Sequence, residues 1–311
     1  MGNGVGLQRA TMSAPSQQWH RPVMVEEVLH YLNPKPGAGI VDGTVGTGGH
    51  SVTIAPRLLP NGRLLIIDRD GSALLHAQER LIEYESLVTS LHDSYRNLPA
   101  ILEGVGVSRI DGLLLDLGMS SVQVDHPARG FSFAHEGPLD MRFDPEQART
   151  AATLVNTLSA DELATVLEQY GEERFARRIA RHIVEARRTQ PLVTTTQLAR
   201  LVVEALPREA RHGRLHAATR TFQALRIAVN DELEALDACL SWLPEVLAPG
   251  GRAVLLSFHS LEDRLVKRAC LEGAHAGQWT LLTRKPARPS AEEVAHNPRA
   301  RSVKLRAIER S

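Results

Sequence analysis

The sequence predicts an α/β protein with a mostly parallel sheet and an inserted all-helical domain. In the first 125 residues, short apolar segments alternate with helical patterns, as in a parallel sheet covered by helices on both faces. Residues 151–229 are helical in pattern almost throughout, and a strand pattern returns only at 253–258. The chain has 311 residues, of which 43% are hydrophobic and 23% charged, so it is large enough for two domains.

The elements of the first part follow from apolar spacing and from residues that stop helices. Apolar residues recur at helical spacing between Pro22 and Leu32, and Asn33 with Pro34 ends this helix. Apolar segments predict strands at residues 40–41, 64–67, 87–91 and 110–117. Helices are predicted between these strands, after residue 49, after residue 70 and at 98–102.

The second part begins with residues 126–145, whose glycines and prolines indicate a structured loop. Asp161 and Thr194 to Thr196 are predicted helix N-caps in the insert. A helix at 233–247, ended by Pro249-Gly250-Gly251, leads back to the strand at 253–258. Residues 260–263 resemble a helix N-cap followed by first-turn acids, and segments 279–282 and 303–308 are predicted antiparallel strands.

These elements divide the chain into a disordered tail (1–18), one discontinuous domain (19–125 and 233–311), and a connecting loop with helical insert (126–232). No apolar run approaches the roughly 18 residues of a membrane span, and the N-terminus lacks the apolar segment of a secretory signal. Cys239 and Cys270 lack metal-ligand spacing and are predicted to be reduced. We therefore expect a cytoplasmic protein without a membrane segment or a metal site.

A glycine-rich turn follows the first predicted strand, where residues 42–50 read DGTVGTGGH. This turn lacks the third glycine of the dinucleotide fingerprint and the Gly-Lys-Ser/Thr of a P-loop. Asp42 would repel a pyrophosphate but favour a cationic cofactor, and Asp68 ends the next strand, where a carboxylate accepts ribose hydroxyls. The pattern predicts an S-adenosylmethionine site. The alternative is a structural glycine turn with a solvated strand-end acid.

Polar residues also follow the later strands, whose carboxyl ends meet at the ligand-binding edge of such a sheet. We hypothesise that Asp116, with help from Ser120 or the region of His259, accepts hydrogen bonds from the methyl acceptor. Tyr95 is a candidate for stacking on an adenine, and His50 is a candidate neighbour of the cofactor. The alternatives are structural: a capping aspartate, a half-buried tyrosine and a core histidine.

The insert carries most of the arginines that are candidates for nucleic-acid contacts. They are Arg174, Arg177, Arg178, Arg181, Arg187, Arg188, Arg208, Arg211, Arg214, Arg220 and Arg226, with Arg299 and Arg301 near the C-terminus. Several arginines on one face would bind the phosphates of an RNA backbone. Because the net charge of the whole chain is zero, any attraction for RNA must come from such a local surface. A solvated helix face paired with Glu172, Glu173 and Glu185 is an equally good explanation.

Many separate segments of this chain together resemble one protein family. They are residues 42–50, 67–70, 116–121, 129–133, 137–142, 170–176, 219–224, 257–264 and 297–301. The set is similar to the bacterial small-subunit ribosomal RNA cytosine-N4 methyltransferase family known as RsmH or MraW, collinearly from Trp19 to Glu309. The chain departs from the family's usual residues at Val45 and Val122, and the segment between Arg268 and Glu292 is shorter than in many members.

The resemblance implies a class I S-adenosylmethionine-dependent methyltransferase fold and methylation of the exocyclic N4 of a cytidine in the decoding region of 16S ribosomal RNA. The implied cofactor residues are Gly48, Gly49, His50, Asp68, Tyr95, Asp116 and Gln123. For the substrate we expect contacts from Phe131, Phe133, Asp140, Arg142 and Arg220. For the first four, which lie in the 126–145 loop, the alternative is a packing loop between the domains.

The expected partner is 16S ribosomal RNA within the small ribosomal subunit, and association into a homodimer stays open. Two other functions stay open at this point. The chain could methylate a DNA cytosine or a protein side chain, or it could be a non-catalytic RNA-binding or assembly factor that retains the fold.

Overall fold

The computed structural model describes residues 22–211, 213 and 216–311. The predicted tail, residues 1–18, and Arg214 of the arginine cluster lie outside the described residues. The first helix, which the sequence predicts from Pro22, begins at Val25 and ends at Leu32. Asn33 closes it in the left-handed conformation, with φ 49°, and its backbone N–H donates to the carbonyl of Leu29.

The described strands form one sheet, which has the predicted parallel arrangement. The strands are β1 (Gly39–Asp42), β2 (Arg63–Asp68), β3 (Val88–His92), β4 (Ile110–Asp116), β5 (Leu247–Ser257), β6 (Trp279–Leu281) and β7 (Lys304–Arg310). Their order is β3-β2-β1-β4-β5-β7-β6, parallel from β3 to β5 and antiparallel at β7 and β6. This confirms the α/β class, the class I methyltransferase fold and the antiparallel end of the sheet.

The register of the parallel strands brings three acidic residues to one edge of the sheet. Asp42 aligns with Leu114, two residues before Asp116, and Asp68 follows two residues after the partner of Asp42. Each of these aspartates is the last residue of its strand. Because ligands bind beyond the carboxyl ends of such strands, this edge is the expected place of the site.

Helices cover the sheet and build the insert. They are α1 (Val25–Leu32), α2 (Ser51–Leu58), α3 (Gly71–Arg80), α4 (Leu98–Gly104), α5 (Ser121–Asp125), α6 (Ala151–Thr157), α7 (Ala160–Gly171), α8 (Ala176–Arg187), α9 (Thr195–Ala205), α10 (Thr219–Asn230), α11 (Glu232–Val246), α12 (Ser260–His275) and α13 (Ala291–His296). No helix in the described part of the chain is long and apolar enough to cross a membrane.

Two of the predicted helix starts are wrong by one or two residues. Ser159, and not Asp161, caps α7, because the Ser159 hydroxyl accepts from the backbone of Glu162 while the Glu162 carboxylate reaches back to Ser159. His259 caps α12 in the same way, so Ser260 is the first helical residue. The predicted cap at Thr194 is confirmed, with Gln197 completing the reciprocal pair.

The chain after α11 also differs from the prediction. The predicted turn at Pro249-Gly250-Gly251 lies inside β5, which already pairs with β4 at Leu247. Between the pairs Ile110–Leu247 and Gly112–Arg252 the β5 strand bulges outward, and Gly250 adopts φ 75° there. A glycine-rich turn and a glycine-containing bulge have the same composition, so the sequence does not separate them.

Three apolar clusters hold this arrangement together. On the sheet, Leu114 points into one cluster while its neighbours Leu113 and Leu115 point into another, because side chains alternate across a strand. The third cluster joins the 126–145 loop to the helices of the insert, with Leu163 and Leu225 fully buried. The loop and the helices of the insert therefore share one apolar core, distinct from the two clusters on the faces of the sheet.

Polar contacts attach the 126–145 loop to the sheet and to the insert. Asp70, the N-cap of α3, accepts from Arg129 at 2.6 Å, and Arg129 also donates to the carbonyls of Arg142 and Phe143. Burial would raise the pKa of Asp70, but hydrogen bonds from Ser72, Gln123 and Arg129 lower it. The loop is thus held to the carboxyl edge of β2 by an ionised carboxylate.

Candidate active site

A cavity opens at the carboxyl edge of the sheet, between the turns that follow β1, β2, β4 and β5 and the start of α11. Its lining includes Thr44, Gly46, Gly49, His50, Asp68, Arg69, Tyr95, Asp116, Ser120, Gln123, Phe143, Glu232, Leu236, Phe258, Glu262 and Arg299. The cavity thus brings together the predicted residues His50, Asp68, Tyr95, Asp116, Ser120 and Gln123 with Gly49. It excludes Gly48 from its lining.

The glycine turn packs closely enough that each glycine has a structural reason. Gly46, at φ 51°, donates its backbone N–H to Oδ2 of Asp68 at 2.8 Å. Gly48, at φ 82°, packs on α3, where an added Cβ would lie 3.1 Å from Cα of Ala77. Gly48 therefore shapes the turn from behind, whereas Gly49 lies on the cavity wall.

Asp42 does not face the cavity, which corrects the role that the sequence suggests for it. Its carboxylate is buried and accepts from the Ser51 hydroxyl at 2.7 Å and from the Thr44 backbone at 3.3 Å. Burial raises the pKa of Asp42 above its ordinary value. Asp42 organises the turn and the start of α2 from beneath, so its attraction for a cationic cofactor acts at most through space.

Asp68 lies on the cavity wall at the end of β2. Its two carboxylate oxygens accept from the backbone N–H groups of Gly46 and Asp70, at 2.8 and 2.9 Å. Burial raises its pKa to about 6, against the lowering effect of these two hydrogen bonds. Each oxygen keeps a further lone pair, as recognition of a ribose diol requires.

Gln123 and Tyr95 also line the cavity. The Gln123 side chain is fixed at both ends, because its amide donates to Asp70 at 2.9 Å and its oxygen accepts from the Ser120 backbone at 3.0 Å. Tyr95 follows β3 and packs against α11 beside the buried Cys239. Burial raises the pKa of Tyr95, so its phenol stays neutral.

His50 and Asp116 form a pair at the centre of the site. Nε2 of His50 lies 3.4 Å from Oδ2 of Asp116; the His50 side chain is buried, at 5% exposed, and the Asp116 side chain is half-buried. The Asp116 backbone N–H donates to Thr44 at 2.7 Å. The other carboxylate oxygen of Asp116, Oδ1, is buried and has no hydrogen-bond partner among the described residues. An acceptor without a donor at a cavity wall indicates a place for a ligand donor or cation.

A second polar cluster, which sequence reasoning missed, closes the cavity below β5. Arg226 donates to both oxygens of Glu232 at 2.8 Å, and both side chains are buried. Glu262 accepts from the backbone of Phe258 at 2.8 Å and lies 3.1 Å from Nε2 of His259. Burial would raise the pKa of Glu262, but His259 and Arg226 lower it, so the carboxylate is ionised.

The placement of His259 changes its expected role. It caps α12 and contacts Glu262, and Glu262 rather than His259 reaches the cavity. Ligand atoms of Glu232, His259 and Glu262 lie within 4.8 Å of one another, as in a metal site. However, the Arg226 guanidinium already supplies the positive charge that a metal ion would bring to Glu232.

The loop residues expected to receive the substrate base lie in packing contacts. Phe131 is buried and stacks on Phe143 with ring centroids 5.5 Å apart. Phe133 packs on Phe222 and His216 of the insert. Asp140 and Arg142 form a two-pronged pair at 2.8 Å. These contacts favour the alternative of a packing loop, with Phe143 as its aromatic residue on the cavity wall.

The carboxylates on the cavity wall suit a cationic cofactor that carries an adenosine. Asp68, Asp116, Glu232 and Glu262 all present carboxylates to it. Arg299 pairs with Asp125 at 2.5 Å, and Arg69 donates to the uncharged Gln147 side chain and Asn230 carbonyl, so Arg69 keeps its positive charge. Arg226 neutralises Glu232, which leaves the carboxylates of Asp68, Asp116 and Glu262 against the one charge of Arg69.

Comparison with known proteins agrees with this geometry. A sequence model of the MraW methylase family matches residues 17–311. The chain is 46% identical to ribosomal RNA small subunit methyltransferase H of Thermomicrobium roseum, over 97% of each chain. It is 47% identical to the protein of that name from Thioalkalivibrio sulfidiphilus, over 96% of this chain and 99% of the relative.

Solved structures are more distant. The structure of a methyltransferase homologue from Pyrococcus horikoshii is 15% identical, with a TM-score of 0.42, over 90% of this chain and 64% of that one. The family match and the relatives at 46–47% identity cover nearly the whole chain. This chain therefore belongs to the MraW methylase family and is an S-adenosylmethionine-dependent methyltransferase.

Proposed function

We propose that this methyltransferase transfers a methyl group to the exocyclic N4 of a cytidine in the decoding region of 16S ribosomal RNA, within the small ribosomal subunit. The names of relatives at 46–47% identity support a ribosomal RNA substrate. The observation that carries the choice of an amine is the free Oδ1 of Asp116, a buried acceptor at the carboxyl edge of β4. An exocyclic amine is a donor of the kind that this oxygen lacks.

The cofactor side of the cavity is assigned to residues after β1, at the end of β2, after β3 and in α5. Asp68 would accept the ribose hydroxyls, Tyr95 and Gln123 would flank the adenine, and Gly49 with His50 would line the methionine end. Gly48 supports the turn from behind. When bound, S-adenosylmethionine supplies a methyl group on a positively charged sulfur, which the carboxylates of the wall stabilise.

The acceptor side must overcome the poor nucleophilicity of a cytosine amine, whose lone pair is conjugated into the ring. Asp116 Oδ1 accepts a hydrogen bond from this amine and holds the nitrogen with its lone pair toward the methyl group. Holding the reacting atoms in line contributes up to about 7–11 kcal/mol in favourable cases, and an acceptor that strengthens in the transition state adds to it. Ser120 lies on the same wall, and Glu262 takes the helper role expected of His259.

The base must leave its stack to reach this cavity, as in other enzymes that modify bases. Phe258 and Phe143 are the aromatic side chains on the wall near β5 and the 126–145 loop, and they can stack on the extruded ring. The arginine-rich insert lies beside this opening, and Arg220 donates to the carbonyl of Glu172 at its edge.

Methyl transfer to purified small-subunit particles that lack the modification tests this proposal. We expect transfer to N4 of one cytidine, identified by mass spectrometry of the digested RNA, and none to duplex DNA or to free ribosomal proteins. Transfer to DNA or protein alone would overturn the substrate assignment. Equilibrium dialysis with S-adenosylmethionine tests the alternative of a non-catalytic factor, because a chain that retains only the fold would not bind the cofactor.

A further inference from the structure

In the described part of the chain, exposed arginines without acidic partners lie on α8 and just before its first residue. Arg174, Arg178 and Arg181 are exposed and follow one another at helical spacing. Among the described residues, none of the three has a carboxylate within ion-pair distance, whereas Arg177 lies 3.7 Å from Glu168. The guanidinium carbon of Arg174 lies 4.7 Å from the centroid of the Phe175 ring, a cation–π contact.

The start of this face is attached to the rim of the cavity. Glu172, two residues before Arg174, accepts from the Ser260 hydroxyl at 2.6 Å and from Arg264 at 2.7 Å. Ser260 opens α12, whose Glu262 lines the cavity. Arg220 donates to the backbone carbonyl of Glu172 at 2.9 Å. The arginine face therefore begins two residues after a contact with α12, the helix whose Glu262 lines the cavity.

We propose that Arg174, Arg178 and Arg181 bind consecutive phosphates of the RNA strand that leads out of the active-site cavity. The identity of the partner rests on the proposed function. Guanidinium groups bind phosphate oxygens in pairs, and exposed arginines without acids are free to do so. A solvated face balanced by Glu172, Glu173 and Glu185 does not describe these three residues. Glu172 is committed to Ser260 and Arg264, Glu173 is buried, and Glu185 pairs with Arg188.

The zero net charge of the chain gives this face a particular importance. With 36 basic and 36 acidic residues, the whole molecule exerts no general attraction on RNA. Affinity must come from a local surface, and this face is continuous with the place where the base enters. A strand held there would have its backbone fixed while one nucleotide is extruded into the cavity.

The test compares two triple variants with the same change of charge. The first is Arg174→Gln, Arg178→Gln and Arg181→Gln. The control is Arg57→Gln, Arg63→Gln and Arg109→Gln, which are exposed arginines near the opposite edge of the sheet, at the end of α2 and the starts of β2 and β4. All six arginines are exposed, and at the helical positions Arg57, Arg178 and Arg181 glutamine has a helix propensity close to that of arginine. Both variants should therefore fold, and circular dichroism checks this.

Binding of protein-free 16S ribosomal RNA is measured for both variants from 50 to 200 mM salt, beside methyl transfer to small-subunit particles. We expect the RNA affinity of the α8 variant to fall roughly 10- to 100-fold near 0.15 M salt. The slope of log affinity against log salt should become shallower by about 2–3. Its KM for particles should rise, while its kcat and its affinity for S-adenosylmethionine stay unchanged. The control variant should match the unmodified chain.

Each other outcome has one meaning. Equal salt slopes for the α8 variant and the control would overturn the phosphate assignment, even if the unmodified chain methylates N4 of cytidine. Weaker binding to particles with unchanged binding to protein-free RNA would overturn it too, in favour of an acidic protein surface. A chain that transfers no methyl group to particles, yet shows the arginine-dependent slope, would overturn the proposed function and leave the RNA-binding face standing.

Discussion

Nε2 of His50 lies 3.4 Å from Oδ2 of Asp116, and this contact determines which oxygen of Asp116 is free for a ligand. Burial would lower the pKa of His50, but Asp116, Asp42 and Glu293 face the ring from three other elements and raise it. Nε2 of His50 therefore faces Oδ2, whereas Oδ1 remains without a partner among the described residues. We regard His50 as the residue that positions Asp116, in addition to its place on the cofactor wall.

Replacement of Asp116 by asparagine tests the acceptor directly. The amide presents either an oxygen without charge or an N–H group to the substrate amine, so kcat should fall by about 100-fold or more, the size expected when one transition-state contact is lost. The measurement is methyl transfer at saturating S-adenosylmethionine. Full activity of Asp116→Asn under these conditions would remove Asp116 from the mechanism.

Replacement of His50 by glutamine should lower kcat by about 10- to 100-fold through misplacement of Asp116, with a smaller effect on cofactor affinity. The raised pKa also fixes the sign of the pH effect. The ion pair stabilises the folded protein fully below pH 6.5 and is lost as the pH rises through the folded-state pKa. In the unmodified chain, the free energy of unfolding measured with urea and kcat should both fall as the pH rises through this range. The variant His50→Gln should lack this pH dependence. An identical pH profile would contradict the positioning role.

The pKa of Asp68, raised to about 6, predicts how cofactor affinity depends on pH. Ribose hydroxyls donate to the ionised carboxylate, so one pH unit below this pKa S-adenosylmethionine should bind about tenfold more weakly. The stability of the free chain has the opposite sign, because protonation is easier in the folded state. Calorimetric titration between pH 5 and 7.5 measures the affinity. The variant Asp68→Asn should bind weakly at every pH, and a flat profile for the unmodified chain would exclude the ribose contact.

Removal of one partner of the buried Arg226–Glu232 pair should destabilise the fold, whereas replacement of both by apolar residues should not. Arg226→Met leaves Glu232 buried without its partner and should lower the free energy of unfolding by about 3–5 kcal/mol, while Arg226→Met with Glu232→Leu recovers most of it. The exposed pair Arg188–Glu185 is the control, where Arg188→Met should cost about 1 kcal/mol or less. Equal losses from Arg226→Met and Arg188→Met would show that the buried pair is not a structural element.

The sequence predicts the sheet well because its signals are local. Apolar runs that end on acids place β1, β2 and β4 and their carboxyl edge, and this edge is enough to collect Asp68, Asp116 and His50. The direction of a side chain is a different matter. Asp42 looks like a cavity acid, but a hydroxyl nine residues later, on Ser51, turns it inward.

Contacts between distant parts of the chain account for what the sequence does not show. Asn230 at the end of α10 donates to the Met141 carbonyl, 89 residues away, and accepts from the Phe143 backbone. This contact fixes the 126–145 loop, so that Phe143 reaches the cavity while Phe131 packs inside. Spacing alone gives no preference between these two phenylalanines. Likewise, the sequence does not show that Glu172 pairs with Arg264 and Glu185 with Arg188, which leaves Arg174, Arg178 and Arg181 without acidic partners among the described residues.

Mapping of the methylated nucleotide tests the central claim most directly. Small-subunit RNA from cells that lack this chain is compared by mass spectrometry with RNA from cells that contain it and from cells that carry Asp116→Asn. We predict one cytidine of the decoding region with a methyl group on N4 in the presence of the unmodified chain, and its loss in the other two samples. An unchanged methylated nucleotide in cells without the chain, or a chain-dependent methyl group on another atom or another molecule, would contradict the account.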